Sequence, residues 1–275
     1  MIKIMKKLVI IAALVLFQCL SPKTQTDYVP DPEALHQAAS LLDEARVREL
    51  INDYQFPIDQ SDRYGWLPIH HAVFPDLHNL NNMSSEEQRI RQLSIINLLQ
   101  STLTIPTFVS GHSVMHLVTM SGNIYLAHVL HNFNNQLILM LDNRGNTPLH
   151  TAASFNQTPL TYYFIEILHM SVDTINSLGK TPLHCAIETG AQEAIIFLIS
   201  HDASIYIPDH AGLTPLDYAE MCDRQHPELG AADSLTSLVV RRYMARHGND
   251  LVSALLANIG MKTACSMAQL RSAKF

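Results

Sequence analysis

Fifteen histidines and four cysteines are the side chains of this 275-residue chain best suited to chemistry. Imidazoles serve as metal ligands and proton carriers, and thiolates as ligands and nucleophiles. Spacing decides among those uses. His112 and His116 stand four apart, the separation that puts two zinc ligands on one helix face, but His112 falls in a turn and no acidic partner follows. Cys185, Cys222 and Cys265 are 37 and 43 residues apart with no Cys-x-x-Cys pair, so they read as isolated buried thiols. There is no G-x-S-x-G, phosphate-binding loop or dinucleotide fingerprint. The sequence therefore predicts no catalytic residue, no metal ligand and no cofactor.

Five of the histidines carry a different message. His36, His70, His116, His150 and His184 follow one another at intervals of 34, 46, 34 and 34 residues. Each sits in a copy of one short motif. Gly145-Asn146-Thr147-Pro148-Leu149-His150 returns as Gly179-Lys180-Thr181-Pro182-Leu183-His184 and as Gly212-Leu213-Thr214-Pro215-Leu216-Asp217. Gly111 to His116 and Gly65 to His70 are degraded copies, and Glu33 to Ala38 is a terminal copy without the glycine or the Thr-Pro pair. The glycine supplies a positive φ at a tight turn. The threonine caps the following helix, and proline at its first position has no amide to lose. The leucine points inward, and the histidine ties neighbouring turns together by hydrogen bonds. A helix, a short break at Gly122, Asn156 or Gly190, and a second apolar helix follow each motif, with Phe164, Ile165, Ile167 and Leu168 in one and Ile195 to Ile199 in another. His128 and His131 fall on the surface of such a second helix.

A G-x-T-P-L-H-x-A motif at a period of 33 to 34 residues resembles the ankyrin repeat. The resemblance covers 31–226 and implies an all-α fold, a solenoid of about six helix-pair repeats, with a polar insertion at about 75–88 that accounts for the 46-residue interval. Two further helices, Ala231 to Arg246 and Asn249 to Leu270 within a C-terminal segment 227–275, are expected to cap the open end of the stack. The resemblance also implies a groove between turn tips and first helices that holds a partner protein. Residues beside the turn glycines are free to vary, which makes Tyr64, Trp66, Phe108, Val109, Arg144, Asn146, Leu178, Lys180 and Leu213 the candidate partner contacts. The alternative for Trp66 and Phe108 is that they fold back into the core.

Composition fits a packed binding protein, with 47% apolar and 16% charged residues. The net charge of −7 becomes more negative once Lys3, Lys6 and Lys7 are set aside, and an acidic surface repels phosphate, so no nucleic-acid partner is expected. Those lysines precede an apolar run from Leu8 to Phe17, the layout of an export leader over 1–20, followed by a polar linker over 21–30. Leu16-Phe17-Gln18-Cys19 resembles a degenerate bacterial lipobox, so Cys19 is a candidate lipidation site. Acylation at Cys19, an uncleaved anchor and atypical cleavage all remain open, and the leader allows membrane association. The functional expectation is a non-catalytic scaffold, periplasmic or membrane-attached in a bacterial envelope. The alternatives are an effector secreted into a host cell, or an enzyme or regulator acting through the C-terminal helices.

Overall fold

The computed structural model describes residues 31–75, 83–107, 109–225, 238, 239, 242 and 243. The chain divides into two units, Met1–Ala34 and Leu35–Phe275. In the first, the described residues 31–34 form a turn closed by Ala34 N–H donating to Asp31 O at 2.8 Å. The leader, the linker and Cys19 lie outside the described residues.

The second unit is built from helices, and no strand occurs among the described residues. They come in pairs: α1 (Ala34–Ser40) with α2 (Glu44–Asn52), α3 (Pro68–Val73) with α4 (Ser85–Leu98), α5 (Val114–Ser121) with α6 (Ile124–Phe133), α7 (Pro148–Ser154) with α8 (Thr158–Tyr162), and α9 (Pro182–Thr189) with α10 (Gln192–Ser200). One more first helix follows, α11 (Pro215–Gln225). First helices line up against first helices, with α3 on α5, α5 on α7, α7 on α9 and α9 on α11, while α2 meets α4 and α8 meets α10.

The motif writes this arrangement directly. Leu67, Ser113, Thr147 and Thr181 hold extended backbone just before their helices, and Pro68, Pro148 and Pro182 start the first turn. Gly122 and Gly190 end α5 and α9 in the left-handed conformation, and Asn156 does the same after α7 at φ 55°. Ile69, Met115, Leu149 and Leu183 are buried one position after the helix start, and Ala72, Val118, Ala152, Ala186 and Ala219 are buried three positions further on. Each buried leucine contributes ~2 kcal/mol of transfer free energy, and the alanines let the first helices approach closely. Second helices complete the core through Leu126 and Leu130, Leu160 and Phe164, and Ala194, Ile195, Leu198 and Ile199.

Three details depart from the sequence reading or refine it. The second helix α4 begins behind Ser84, whose Oγ accepts from Glu87 N–H at 3.2 Å, so 85–88 are helical, while 76–82 lie outside the described residues. Helix α8 continues as a π-helical turn, Tyr163–Ile167. That wider turn buries Phe164 but leaves Ile167 exposed, so the apolar run faces the neighbours only in part. Of the C-terminal segment, residues 238, 239, 242 and 243 are helical, and Val239 and Tyr243 are buried against Ile205 and Leu216, the ring of Tyr243 standing edge-on to Tyr206. The remainder of the two expected C-terminal helices lies outside the described residues.

Candidate functional site

The turns at Gly65, Gly145, Gly179 and Gly212 are each held by a carboxylate or amide three residues before the glycine, whereas at Gly111 Thr107 Oγ1 accepts from His112 N–H at 2.9 Å. Asp142 Oδ1 accepts from Arg144 N–H and Asn146 N–H, both at 2.8 Å. Asp62, Asn176 and Asp209 do the same in their own turns, at distances between 2.9 and 3.0 Å. Burial works against the charge of Asp62, yet hydrogen bonds from Trp66 N–H, His71 and Tyr64 N–H leave its pKa lowered. These residues were not singled out from the sequence. Their signal is present there all the same, as Asp or Asn at a fixed place before Gly65, Gly145, Gly179 and Gly212.

Successive turns are stitched together. Asn143 N–H donates to Ser110 O, Ser177 N–H to Arg144 O and His210 N–H to Leu178 O, at 3.2, 3.1 and 2.9 Å. The approach is close enough that glycine is needed twice over. At Gly145 the backbone has φ 73°, and an added Cβ would lie 2.2 Å from Ser177 Oγ and 2.6 Å from Ser177 N.

The repeat histidines form a second ladder beneath the turns. Nε2 of His36, His70, His116, His150 and His184 lies 2.9 to 3.1 Å from the carbonyl oxygens of Gln60, Ile105, Asn146, Lys180 and Leu213. A carbonyl only accepts, so each Nε2 carries the proton and donates, and Nδ1 is left as an acceptor. In His150 and His184 that Nδ1 receives the N–H of Thr147 or Thr181 and faces its Oγ1 at 2.9 Å. The threonine hydroxyl thus donates to the imidazole, a closer bond than the amide cap expected of it; Ser113 Oγ does accept from His116 N–H, at 3.4 Å. Burial lowers the pKa of His70, His116 and His150 to about 4, and lowers those of His36 and His184. In the terminal copy, which lacks the Thr-Pro pair, His36 Nδ1 is buried without a partner among the described residues.

Between the tips of the turns at 109–112, 142–146 and 176–180 and the first helices α7 and α9 lies a groove of about 690 Å³. Val109, Arg144, Asn146, Phe155, Leu178 and Lys180 are among the residues that line it. Among the predicted contacts, Val109, Arg144, Asn146, Leu178 and Lys180 come together here. Val109 is 71% exposed and Leu178 50%, and the backbone around them needs neither side chain. Arg144 is exposed and enters no ion pair among the described residues. Two of the five are largely occupied. Asn146 donates to Asp142 Oδ2 and accepts from Asn176 Nδ2, and Lys180 Nζ pairs with Glu188 at 2.8 Å while lying over the Tyr218 ring.

The other predicted contacts sit elsewhere. Tyr64 is exposed one turn upstream with Arg63 over its ring, and Leu213 is half-buried at the last turn. Trp66 is half-buried and folds back onto its own helix, its ring against His70, His71 and Phe74. Phe108 lies outside the described residues.

Reactive groups near the groove have internal partners. His112 Nδ1 lies 2.8 Å from Ser110 Oγ, its ring stacks on His116, and burial lowers its pKa. Burial pushes the Cys185 thiol up to about 11, away from the thiolate that nucleophilic chemistry requires. Among the described residues no group of three or more His, Cys, Asp or Glu side chains is placed to hold a metal ion. On the surface, His128 Nδ1 reaches Tyr163 Oη at 3.2 Å, while His131 is half-buried with an Nδ1 that has no partner among the described residues.

Turn, capped first helix, histidine rung and second helix recur in register, and residues 160–229 match the family described as ankyrin repeats in three copies. Residues 160–229 carry ankyrin repeats. The same geometry continues upstream of the matched residues at Gly145, Gly111 and Gly65. Among curated relatives, the chain is similar to a B-cell lymphoma 3 protein homolog of Mus musculus, 33% identical over 112 residues, which are 38% of this chain and 25% of the relative. It is also similar to protein phosphatase 1 regulatory subunit 27 of Mus musculus, 36% identical over 93 residues, 34% of this chain and 58% of the relative. It therefore spans a quarter to somewhat over half of the length of those relatives. Among solved structures, a crystal structure of an ankyrin repeat protein aligns with TM-score 0.56 and 20% identity over 78% of this chain and 100% of its own. One chain of the complex between a predatory endopeptidase from Bdellovibrio bacteriovorus and an immunity protein aligns with TM-score 0.54 and 21% identity, over 76% of this chain and 97% of its own. At those identities the likeness is one of fold. That fold is typically a non-catalytic module for protein–protein interaction.

Proposed function

We propose that this chain is a non-catalytic scaffold that holds a partner protein in the groove beside its turns at 109–112, 142–146 and 176–180. One observation carries the reading. The groove exposes Val109, Phe155 and Leu178 beside turns that are bracketed and joined by their own hydrogen bonds. Apolar groups at rigid, exposed tips are what a partner can cover with least ordering cost. We further propose about six repeats with a C-terminal cap over 227–275, in an exported bacterial protein that is periplasmic or held at the membrane by its leader. Supporting this are the basic start at Lys6 and Lys7, the apolar run from Leu8 to Phe17 and the acidic remainder of the chain.

Site-specific photo-crosslinking in the source cells tests the binding reading. A benzophenone side chain at Leu178 should give a discrete adduct with one protein, and the same group at Tyr125, exposed on second helix α6, should not. Adducts of equal yield from both positions, or from Tyr125 alone, would move the interaction off the groove. Fusing residues 1–30 to a reporter active only outside the cytoplasm tests the location, and a silent fusion rejects export.

A further inference from the structure

From the charge of the groove we infer what kind of segment it receives: an extended stretch of a protein partner that presents a carboxylate flanked by apolar side chains. The inference rests on the scaffold reading above. Three cross-turn hydrogen bonds make the tips immediate neighbours, so Val109 and Ser110, then Arg144, then Leu178 run in one row along the groove edge. The row reads apolar, cationic, apolar. Phe155, half exposed after α7, adds apolar surface to the lining.

The remaining charges of the site are already matched. Asp142 accepts from three N–H groups of its own turn, two from the backbone and one from Asn146 Nδ2. Glu188 is paired with Lys180 at 2.8 Å. His112 donates or accepts with Ser110 and is held neutral by burial, with Arg144 adding to that effect. What is left is the guanidinium of Arg144, a single positive charge in a chain whose net charge is −7. A planar guanidinium with its donors facing solvent is built for bidentate capture of a carboxylate. The net negative charge of the chain works against acidic segments in general, so a local cation between apolar tips adds selectivity at this position. Extension follows from the row itself, since consecutive side chains of a helix would turn away from three collinear tips.

Selection from a phage library of random 12-residue peptides on the full chain tests this. Peptides enriched by the wild-type chain should share Asp or Glu with apolar residues on both sides. Arg144→Glu, a change at an exposed side chain with no ion pair to lose, should keep the melting temperature and enrich Lys or Arg at the same place. A synthetic winner should bind at least tenfold more weakly when its Asp or Glu becomes Asn or Gln. Enrichment with no acidic preference, lost in Leu178→Asp, would overturn the carboxylate and leave the groove reading standing. Enriched peptides whose binding ignores both Arg144→Glu and Leu178→Asp would overturn the groove reading itself, and no enrichment at all would overturn both.

Discussion

At His150 the two ring nitrogens have opposite duties, and both require the neutral ring. Nε2 gives its proton to Lys180 O, while Nδ1 accepts from Thr147. A second proton would have to displace the amide and hydroxyl hydrogens already aimed at Nδ1. The same holds for His116 with Ser113, and His70 Nδ1 accepts from Leu67 N–H. Folding lowers these three pKa values from 6.5 to about 4, so between those pH values the unfolded chain binds protons that the folded chain refuses. Their contribution to stability is fully present above pH 6.5, erodes as pH falls, and is gone below about 4. Urea denaturation between pH 8 and 4 should therefore show stability falling through this window. His150→Ala should lower stability at pH 8 and also make the fall shallower by about one proton, or ~1.4 kcal/mol per pH unit. An unchanged slope in His150→Ala would mean that the ring is already charged when folded. Carboxylates such as Asp62, whose pKa is lowered from 3.8, lose their contribution at more acid pH and do not mimic the effect.

At the scale of the helix pair, Asn156 shows what a one-dimensional motif conceals. Its left-handed backbone ends the first helix of its own repeat, a role the sequence reveals because Asn156 stands where other copies have glycine. Its side chain has a second role that no local pattern contains: Oδ1 accepts from Ala194 N–H at 2.9 Å and so caps α10 of the next repeat, whose own capping position is the apolar Ala191. Asn156→Gly keeps the backbone freedom and removes the cap together with the exposed bond from Nδ2 to Glu193, so it should cost about 1 kcal/mol, and Asn156→Ala should cost more because it also strains the backbone. Equal stability of the glycine variant and wild type, measured by chemical denaturation, would remove the cross-repeat cap. The same contrast runs through the fold. Gly, Thr-Pro and the apolar positions were legible because turns, caps and helix starts are decided within a few residues. The Asp142 and Asn176 brackets are equally local, an Asp or Asn three residues before a turn glycine, although the repeat motif as read from Gly onward does not include them. The π-helical turn at Tyr163–Ile167 and the folding back of Trp66 depend on packing between elements and leave no periodic trace. Within the groove, Val109, Arg144 and Leu178 were legible as variable tips, whereas Phe155, in the break after a first helix, was not.

For the whole molecule, the question is how a stack of similar units ends. Each first helix covers the apolar face of the one before it, so the last needs cover from something outside the pattern. Val239 and Tyr243 supply it for Ile205, Tyr206 and Leu216. Deleting 227–275 should lower the melting temperature by several degrees and increase binding of an apolar dye, because burial of two such side chains stabilises by a few kcal/mol. An unaltered melting temperature would show that the last repeat stands without them. The two ladders also limit where the chain can change length. Backbone hydrogen bonds cross from turn to turn, and histidine rungs cross beneath them, so a turn that grew by several residues would break pairing with both neighbours. The connection between the two helices of a unit is under no such constraint: it is residues 190–191 in one repeat and 74–84 in another. Descendants of this gene are thus free to acquire new loops on the side where helix meets helix, and to duplicate or lose whole units. Their row of tips stays in step throughout, so recognition along it evolves by exchanging side chains at fixed stations and never by sliding them.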